Sequence, residues 1–147
     1  MKPRILVVDD EKQFAETLAE RLRLRMFQVT TAFSGAEALE QIERFNFDLV
    51  ILDVYLPDQG GLEVLQQIKK LKPLTEVLML TGHAEVETAI QGMKAGAFDF
   101  LLKPAESEEL IAKINQAYHR KLSQEERIRE AKVSRYVTSP RSALHDD

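Results

Sequence analysis

Five short apolar runs, each followed by a helix-like pattern, constrain the fold of this chain more than any other feature. The runs are rich in β-branched residues, and the segments between them place apolar residues at a period near 3.6. The predicted strands are Arg4–Asp9, Gln28–Ala32, Asp48–Asp53, Glu76–Thr81 and Phe98–Leu102. Strand followed by helix, five times over, predicts a parallel sheet with helices on both faces, because each right-handed crossover lays a helix against the sheet.

The composition of the strands predicts their order. Strands that are covered on both faces are continuously apolar, as the first, third and fourth runs are, whereas the second run, QVTTA, is more polar and suits an edge. The flavodoxin-like order 2-1-3-4-5 places the second and fifth strands at the edges. We therefore predict an α/β fold with a doubly wound, five-stranded parallel sheet in that order.

The helices show recognisable stripes and ends. Ser34 is the predicted N-cap of the second helix, the third helix opens at Gly60-Gly61, and Gly96 fits the C-terminal cap of the fourth. The first helix, about residues 12 to 25, and the fourth carry apolar stripes that we expect to be buried. Their members are Phe14, Leu18, Leu22 and Met26 in the first helix, and Val86, Ala89, Ile90 and Met93 in the fourth.

Composition excludes several classes of protein. With 147 residues, 44% of them hydrophobic and 30% charged, the chain fits one globular domain. No apolar run reaches the roughly 20 residues that span a bilayer, and the start MKPRILVVDDEK is neither a signal nor a transit peptide, so we expect a cytoplasmic protein. There is no cysteine, and the net charge of −4 argues against direct nucleic-acid binding.

The composition changes near residue 118, which divides the chain into a globular part, residues 1–118, and an extension, residues 119–147. The extension is charged and helix-compatible up to a final stretch without periodicity, which we expect to be flexible. It is either a solvated continuation of the fifth helix or a helix that docks a partner or dimerises. Its apolar members are Leu122, Ile128, Ala131 and Val133.

Polar residues stand where four of the strands end. Asp9 and Asp10 follow the first strand, Asp53 ends the third, Thr81 ends the fourth, and Lys103 follows the fifth. In a parallel sheet these ends share one edge, which is where open α/β folds bind ligands. Neighbouring strands lie about 4.8 Å apart, so the side chains are expected to form one cluster.

Three clustered carboxylates need compensation, because each pair repels by roughly 3 kcal/mol at an effective dielectric of about 20. Either one carboxyl holds a proton, or the cluster takes a cation. Oxygen ligands without histidine or cysteine suit a hard ion, and Mg²⁺ is the leading candidate. With Mg²⁺ beside Asp9 and Asp10, Asp53 could act as a nucleophile in phosphoryl transfer, aided by the Thr81 hydroxyl and the Lys103 amine.

Four motifs occur in order along the chain, VVDDE, LDVYLPDQGGLE, LTGHA and AGAFDFLLKP. On these motifs the chain resembles, over about residues 3 to 118, the receiver domain of response regulators from two-component systems. It implies that Asp53 accepts a phosphoryl group from a sensor histidine kinase or a phosphotransfer protein. It also implies that Asp10, Asp53 and the Tyr55 carbonyl ligate Mg²⁺ directly, while Asp9 acts mainly through water.

The resemblance further implies a conformational switch. Thr81 and Phe100 would be the switch pair, and the Lys103–Pro104 bond would be cis. A phosphate beside Thr81 would draw its hydroxyl inward and vacate space for the Phe100 ring, which changes the face formed by the fourth helix, fifth strand and fifth helix. An effector protein, not identifiable from the sequence, or a second copy of the chain would bind that face or the C-terminal helix.

Three other functions compete with this interpretation. A Mg²⁺-dependent phosphohydrolase with an aspartyl-phosphate intermediate would place a second acid two residues after the nucleophile, where this chain has Tyr55. A flavin or nucleotide binder would need a glycine-rich loop after the first strand. A receiver-like scaffold would bind partners without phosphorylation.

We therefore expect a signalling domain that is not a metabolic enzyme, with only self-phosphorylation and slow autodephosphorylation. The chain would be either a single-domain regulator or part of a longer protein. Several nearby residues are assigned no role in the chemistry. His83 is expected to be neither ligand nor acid-base group, Met79 and Met93 to serve packing, and Asp58 and Glu85 to be solvated.

Overall fold

The computed structural model describes residues 2–82 and 86–138 and consists of strands and helices in strict alternation. His83 and Glu85 lie outside the described residues, as does most of the predicted flexible end, residues 137–147. The first two residues of that end, Val137 and Thr138, are helical instead. The elements are β1 (Arg4–Val8), α1 (Lys12–Leu24), β2 (Gln28–Ala32), α2 (Gly35–Arg44), β3 (Leu49–Asp53), α3 (Gly61–Leu71), β4 (Glu76–Thr81), α4 (Val86–Lys94), β5 (Asp99–Leu102) and α5 (Ser107–Thr138). Among the described residues, no helix is long and apolar enough to cross a bilayer.

The sheet has the predicted topology. Its five strands are parallel and run in the order β2-β1-β3-β4-β5, which confirms the doubly wound fold. Val8 pairs with Leu52, and Asp53 pairs with Leu80, so the carboxyl ends of β1, β3 and β4 lie side by side. The amino ends of β3 and β4 meet at the opposite edge, where Leu49 pairs with Glu76.

Two apolar cores cover the two faces of the sheet. Alternate residues of each strand face opposite sides, so Leu6 and Val8 contribute to one core while Ile5 and Val7 contribute to the other. The first core lies under α2, α3 and α4, and the second lies under α1 and α5. Every residue of β3 and β4 is buried, as expected for strands covered on both sides.

The end of α1 differs from the prediction that Met26 continues its buried stripe. Met26 has a φ of 71° and is 75% exposed. Its N–H donates to the carbonyl of Arg23, and the N–H of Phe27 donates to the carbonyl of Leu22, which together form a Schellman cap. The cap turns the chain so that Phe27, rather than Met26, is buried beside Leu22.

The buried face of α4 also differs from the predicted stripe. Ala89 and Gly92 are buried, whereas Ile90 and Met93 are 46% and 38% exposed, so the expectation that Met93 serves packing was wrong. A Cβ on Gly92 would lie 3.0 Å from the sulfur of Met79, so the absence of a side chain lets the helix approach the sheet on this side. Gly96, with a φ of 113°, caps the helix as predicted.

The long helix α5 crosses residue 118 without a break. Beyond it, Arg120 and Lys121 still form ion pairs with the sheet's amino end, through Glu76 and Asp48 respectively. The division of the chain at residue 118 stays a prediction, and contacts to the globular part continue for a few residues past it. The apolar side chains Leu122, Ile128 and Val133 are 41%, 45% and 56% exposed.

Candidate functional site

The carboxyl edge of the sheet brings the predicted site residues together. Asp9 directly follows β1, and its N–H donates to the carbonyl of Ala32 in β2 at 3.0 Å. Asp53 and Thr81 are the last residues of β3 and β4, and all three side chains are buried. Because the backbone hydrogen bonding of the sheet extends to these positions, the side chains stand on rigid elements rather than on free loops.

The acidic residues form a cluster that fits a hard cation. One carboxylate oxygen from each of Asp9, Asp10 and Asp53 lies within 4.8 Å of the other two. Asp9 and Asp53 are buried, while Asp10 is exposed, so the cluster opens to solvent on one side. An oxygen-only donor set with an open side is the arrangement that Mg²⁺ favours, since this ion keeps several waters.

The Lys103 side chain follows β5, two strands away from β3, and its amine lies beside several acidic residues. Its Nζ lies 2.9 Å from Asp9 Oδ2, 3.4 Å from Asp53 Oδ2 and 3.4 Å from Glu11 Oε1. The amine also lies 4.8 Å from the centroid of the Phe14 ring. Burial alone would lower the pKa of Lys103, but its pairing with Asp9 and Asp53 outweighs burial and raises that pKa. The amine is therefore a fixed positive charge at neutral pH.

The pKa of the Asp53 carboxyl group is raised. Burial, followed by the charge of Asp9, raises the pKa of Asp53 from 3.8 to about 6, against the opposing effects of Lys103 and the Tyr55 N–H. The carboxyl group consequently titrates close to neutral pH. A divalent cation placed beside it would favour the ionised form and restore a nucleophilic carboxylate.

The loop after β3 carries Tyr55, whose backbone carbonyl is the remaining predicted ligand. Tyr55 is 69% exposed, and its N–H donates to Asp53 Oδ1 at 3.2 Å. The loop closes where the N–H of Gly61 donates to the carbonyl of Val54 at 2.9 Å. A Cβ on Gly61 would lie 2.6 Å from the Asp53 carbonyl oxygen, so this closure requires glycine.

The predicted switch residues lie on β4 and β5. The buried hydroxyl of Thr81 donates to the carbonyl of Gly82 at 2.9 Å. Phe100 pairs with Met79 across the sheet and is half-buried against the core under α2, α3 and α4. The Lys103–Pro104 peptide bond is cis.

Comparison with known proteins identifies the family. The model of the response regulator receiver domain matches residues 5–115. This chain belongs to that family. Receiver domains of two-component systems are generally signalling rather than catalytic domains, which agrees with the expectation of a signalling domain.

Relatives of this receiver include proteins that are longer than this chain. It is 41% identical to the transcriptional regulatory protein ZraR of Escherichia coli over 113 residues, 77% of this chain and 26% of that protein. It is 38% identical to the uncharacterized transcriptional regulatory protein YkoG of Bacillus subtilis over 116 residues, 79% of this chain and 51% of that protein. The chain thus spans between a quarter and a half of the length of these curated relatives.

A solved structure supports the same fold. A CheY-like response regulator receiver domain protein from Methanospirillum hungatei superposes with a TM-score of 0.80 at 31% identity. The match covers 84% of this receiver and 99% of the other chain. The similarity therefore extends over most of this chain.

Two further residues at this edge were not assigned roles from the sequence. Glu11 pairs with Lys103, and an exposed acid after VVDD was its only signal. Asp58 is exposed, as expected, but its carboxylate also accepts hydrogen bonds from the N–H groups of Gly35 and Ala36, both at 2.9 Å. These bonds lower the pKa of Asp58. No sequence pattern links Asp58 to residues so distant along the chain.

Proposed function

We propose that this receiver is a phosphorylation-dependent signalling switch in which Asp53 accepts a phosphoryl group from a sensor histidine kinase or a phosphotransfer protein. The observation that carries the proposal is the placement of Asp53 itself. Its buried carboxylate lies 3.4 Å from the Lys103 amine and within 4.8 Å of two further acids, at the edge where the sheet opens to solvent. The family assignment supports signalling as the general role.

The chain's own residues account for the steps of transfer. An oxygen of Asp53 attacks the phosphorus, the P–O bond forms as the bond from phosphorus to the histidine nitrogen breaks, and the nitrogen keeps the electron pair. The Lys103 amine, held by Asp9 at 2.9 Å, stabilises negative charge on the phosphoryl oxygens. Because Asp53 is buried, little water reaches the new acyl phosphate from the protein side.

Mg²⁺ is the cofactor that this donor set fits. Asp10, Asp53 and the Tyr55 carbonyl would hold it directly, and Asp9 would act mainly through water. When bound, the ion neutralises charge that develops on the phosphoryl oxygens. The excess of carboxylates at this edge gives the physical reason for a cation, since Lys103 pairs with three acids at once.

Phosphorylation would be transmitted through Thr81 and Phe100. In the present state the Thr81 hydroxyl donates to Gly82, and a phosphoryl group on Asp53 offers a stronger acceptor nearby. The movement of Thr81 leaves room for the Phe100 ring to turn inward. The affected surface is the α4-β5-α5 face, where Ile90, Met93 and Leu102 are exposed and available to an effector protein or to a second copy of the chain.

The output of the switch depends on what the receiver contacts. Several curated relatives are named transcriptional regulatory proteins and are longer than this chain. We propose that this receiver acts in the cytoplasm, that it controls partner binding or dimerisation, and that it does not contact nucleic acid itself.

A small-molecule phosphodonor tests the proposal directly. In the presence of Mg²⁺, intact-mass measurement is expected to show one added phosphoryl group on the wild-type protein and none after chelation. Asp53→Asn keeps the side-chain volume but removes the nucleophile, so it abolishes the addition. Labelling of this variant to the wild-type level would contradict the proposal, and turnover of a small phosphomonoester would favour a phosphohydrolase instead.

A further inference from the structure

The loop between β3 and α3, residues 54–60, is fixed to the start of α2 by a side chain with no assigned role. We propose that Asp58 is a positioning residue for the metal site: it holds this loop so that the Tyr55 carbonyl stays where a cation beside Asp53 can use it. The inference rests on the proposed function, because it concerns the same Mg²⁺ site.

The contact of Asp58 with α2 is bidentate. Oδ1 accepts the N–H of Gly35 and Oδ2 accepts the N–H of Ala36, each at 2.9 Å. These are the first two residues of the helix, where N–H groups lack partners within the helix and the helix dipole favours a negative charge. The lowered pKa of Asp58 shows that these hydrogen bonds favour its ionised form.

Helix α2 already has its own cap. The Ser34 hydroxyl oxygen accepts the N–H of Glu37 at 3.1 Å, as expected of an N-cap, and Glu37 Oε2 accepts the N–H of Phe33, the residue before the cap, at 3.2 Å. Asp58 is not part of this cap and lies 23 and 22 positions along the chain from Gly35 and Ala36. The effect that Asp58 has and the Ser34 cap lacks is therefore on the loop that carries Asp58.

The loop lies directly on the helix start. A Cβ on Gly35 would lie 2.6 Å from Cγ of Gln59, so glycine at this position lets the loop come this close. The Gln59 side chain in turn accepts a hydrogen bond from Gln67 of α3 at 3.3 Å. The loop is thus held in its middle by Asp58 and Gln59, between its two ends at Asp53 and Gly61.

Tyr55 depends on this support more than the carboxylate ligands do. A backbone carbonyl is oriented by the conformation of the chain around it, and the exposed Tyr55 side chain gives it little packing. Its N–H contact with Asp53 is long, at 3.2 Å. Asp58, three residues further on, provides a charged anchor for the loop. Release of this anchor is expected to weaken cation binding while leaving Asp9, Asp10 and Asp53 in place.

The test compares Asp58→Ala with Ser34→Ala in the full chain. Both variants remove acceptors from the start of α2, but only the first releases the loop. Mg²⁺ is titrated into each protein while the backbone amide signal of Tyr55 is followed by NMR. We expect the Mg²⁺ dissociation constant to rise about tenfold in Asp58→Ala, the low end of what loss of an outer-shell partner costs. Ser34→Ala should change it by less than about twofold.

Two further measurements sharpen the test. Asp58→Asn keeps one acceptor oxygen, so its dissociation constant should lie between those of the wild type and Asp58→Ala. At saturating Mg²⁺ the phosphorylation rate of Asp58→Ala should return to the wild-type rate, because the nucleophile and Lys103 are unchanged. A general folding defect would not be corrected by Mg²⁺ in this way.

The outcomes separate the two proposals. If the wild type binds Mg²⁺ and takes up a phosphoryl group but Asp58→Ala and Ser34→Ala have equal dissociation constants, the positioning role is overturned and the proposed function stands. If the wild type neither responds to Mg²⁺ nor becomes phosphorylated, both are overturned.

Discussion

The two ends of the sheet each hold a cluster of acids and bases, and the clusters differ in their balance of charge. At the carboxyl edge, Lys103 lies within ion-pair distance of Asp9, Glu11 and Asp53. At the amino edge, two acids are matched by several cations. The amino-edge cluster consists of Asp48, Lys69, Glu76, Arg120 and Lys121.

Each of the two acids in the amino-edge cluster lies within ion-pair distance of a cation. Glu76 is only 1% exposed, yet its Oε2 lies 2.7 Å from Arg120 Nε and its Oε1 lies 3.9 Å from Lys69 Nζ. Asp48 Oδ1 lies 3.0 Å from Lys121 Nζ. Burial raises the pKa of Glu76, and Arg120 is the strongest opposing influence. The cluster anchors α3, β4 and α5 to one another without requiring a ligand.

The carboxyl edge has the opposite property, since its acids exceed the cations that the described residues place there. Such an arrangement is unfavourable until a cation joins it, which supports a binding site at this edge rather than a purely structural cluster. Buried charge alone does not distinguish a binding site from a structural ion-pair cluster in this molecule. The two are distinguished by whether the acids outnumber the nearby cations.

The largest expected effect is on the pH dependence of stability without Mg²⁺. Burial and Asp9 raise the pKa of Asp53 from 3.8 to about 6, so the folded protein binds this proton more tightly than the unfolded chain. The free energy of unfolding is therefore expected to fall by about 3 kcal/mol as the pH rises from about 3 to about 7.

Urea denaturation across this pH range measures the effect. Asp53→Asn should remove most of the slope, and saturating Mg²⁺ should reduce it by favouring the ionised carboxylate. If the pH dependence of the free energy of unfolding is the same in Asp53→Asn as in the wild type, the titration of Asp53 is not its cause.

A smaller loss of stability is expected at the amino edge. Arg120→Ala leaves the Glu76 carboxylate buried beside the more distant Lys69 amine. The free energy of unfolding should fall by about 2 kcal/mol, less than for a wholly buried pair because Arg120 is half exposed. Arg127→Ala, at an exposed position of the same helix, is the control. Equal effects of the two substitutions, or a changed Mg²⁺ affinity in Arg120→Ala, would remove the proposed division between the edges.

The smallest effects are expected when an aspartate is replaced by asparagine once at each edge. Asp10→Asn relieves repulsion and should stabilise the protein without Mg²⁺ by about 0.5 to 1 kcal/mol, while weakening Mg²⁺ binding. Asp48→Asn loses its pair with Lys121 and should destabilise the protein by a similar amount. Thermal denaturation of both variants checks the opposite signs, and shifts in the same direction would contradict the comparison.

Much of this molecule was predictable from local patterns. The strand order followed from the polarity of QVTTA against the apolar first, third and fourth strands, and the structure confirms it. The site cluster followed from polar residues at strand ends, because a parallel sheet fixes where those ends meet. The geometry brings Asp9, Asp10, Asp53 and Lys103 together, while their chemical roles stay predictions.

The features that escaped prediction depend on contacts between distant segments or on unusual backbone conformations. Met26 adopts a left-handed conformation that glycine usually takes, so the end of α1 gave no signal. The buried face of α4 is set by how closely Gly92 approaches Met79. The pairs of Asp58 with α2 and of Glu76 with Arg120 join segments far apart in sequence, and no periodicity reports them.

The central claim is that Asp53, rather than a neighbouring acid, carries the phosphoryl group. The protein is phosphorylated by a small-molecule donor with Mg²⁺ and then reduced with borohydride, which converts an aspartyl phosphate to homoserine. Peptide mapping is predicted to find homoserine at position 53. Homoserine at position 9 or 10, or none in a protein whose mass shows the added phosphoryl group, would contradict the account.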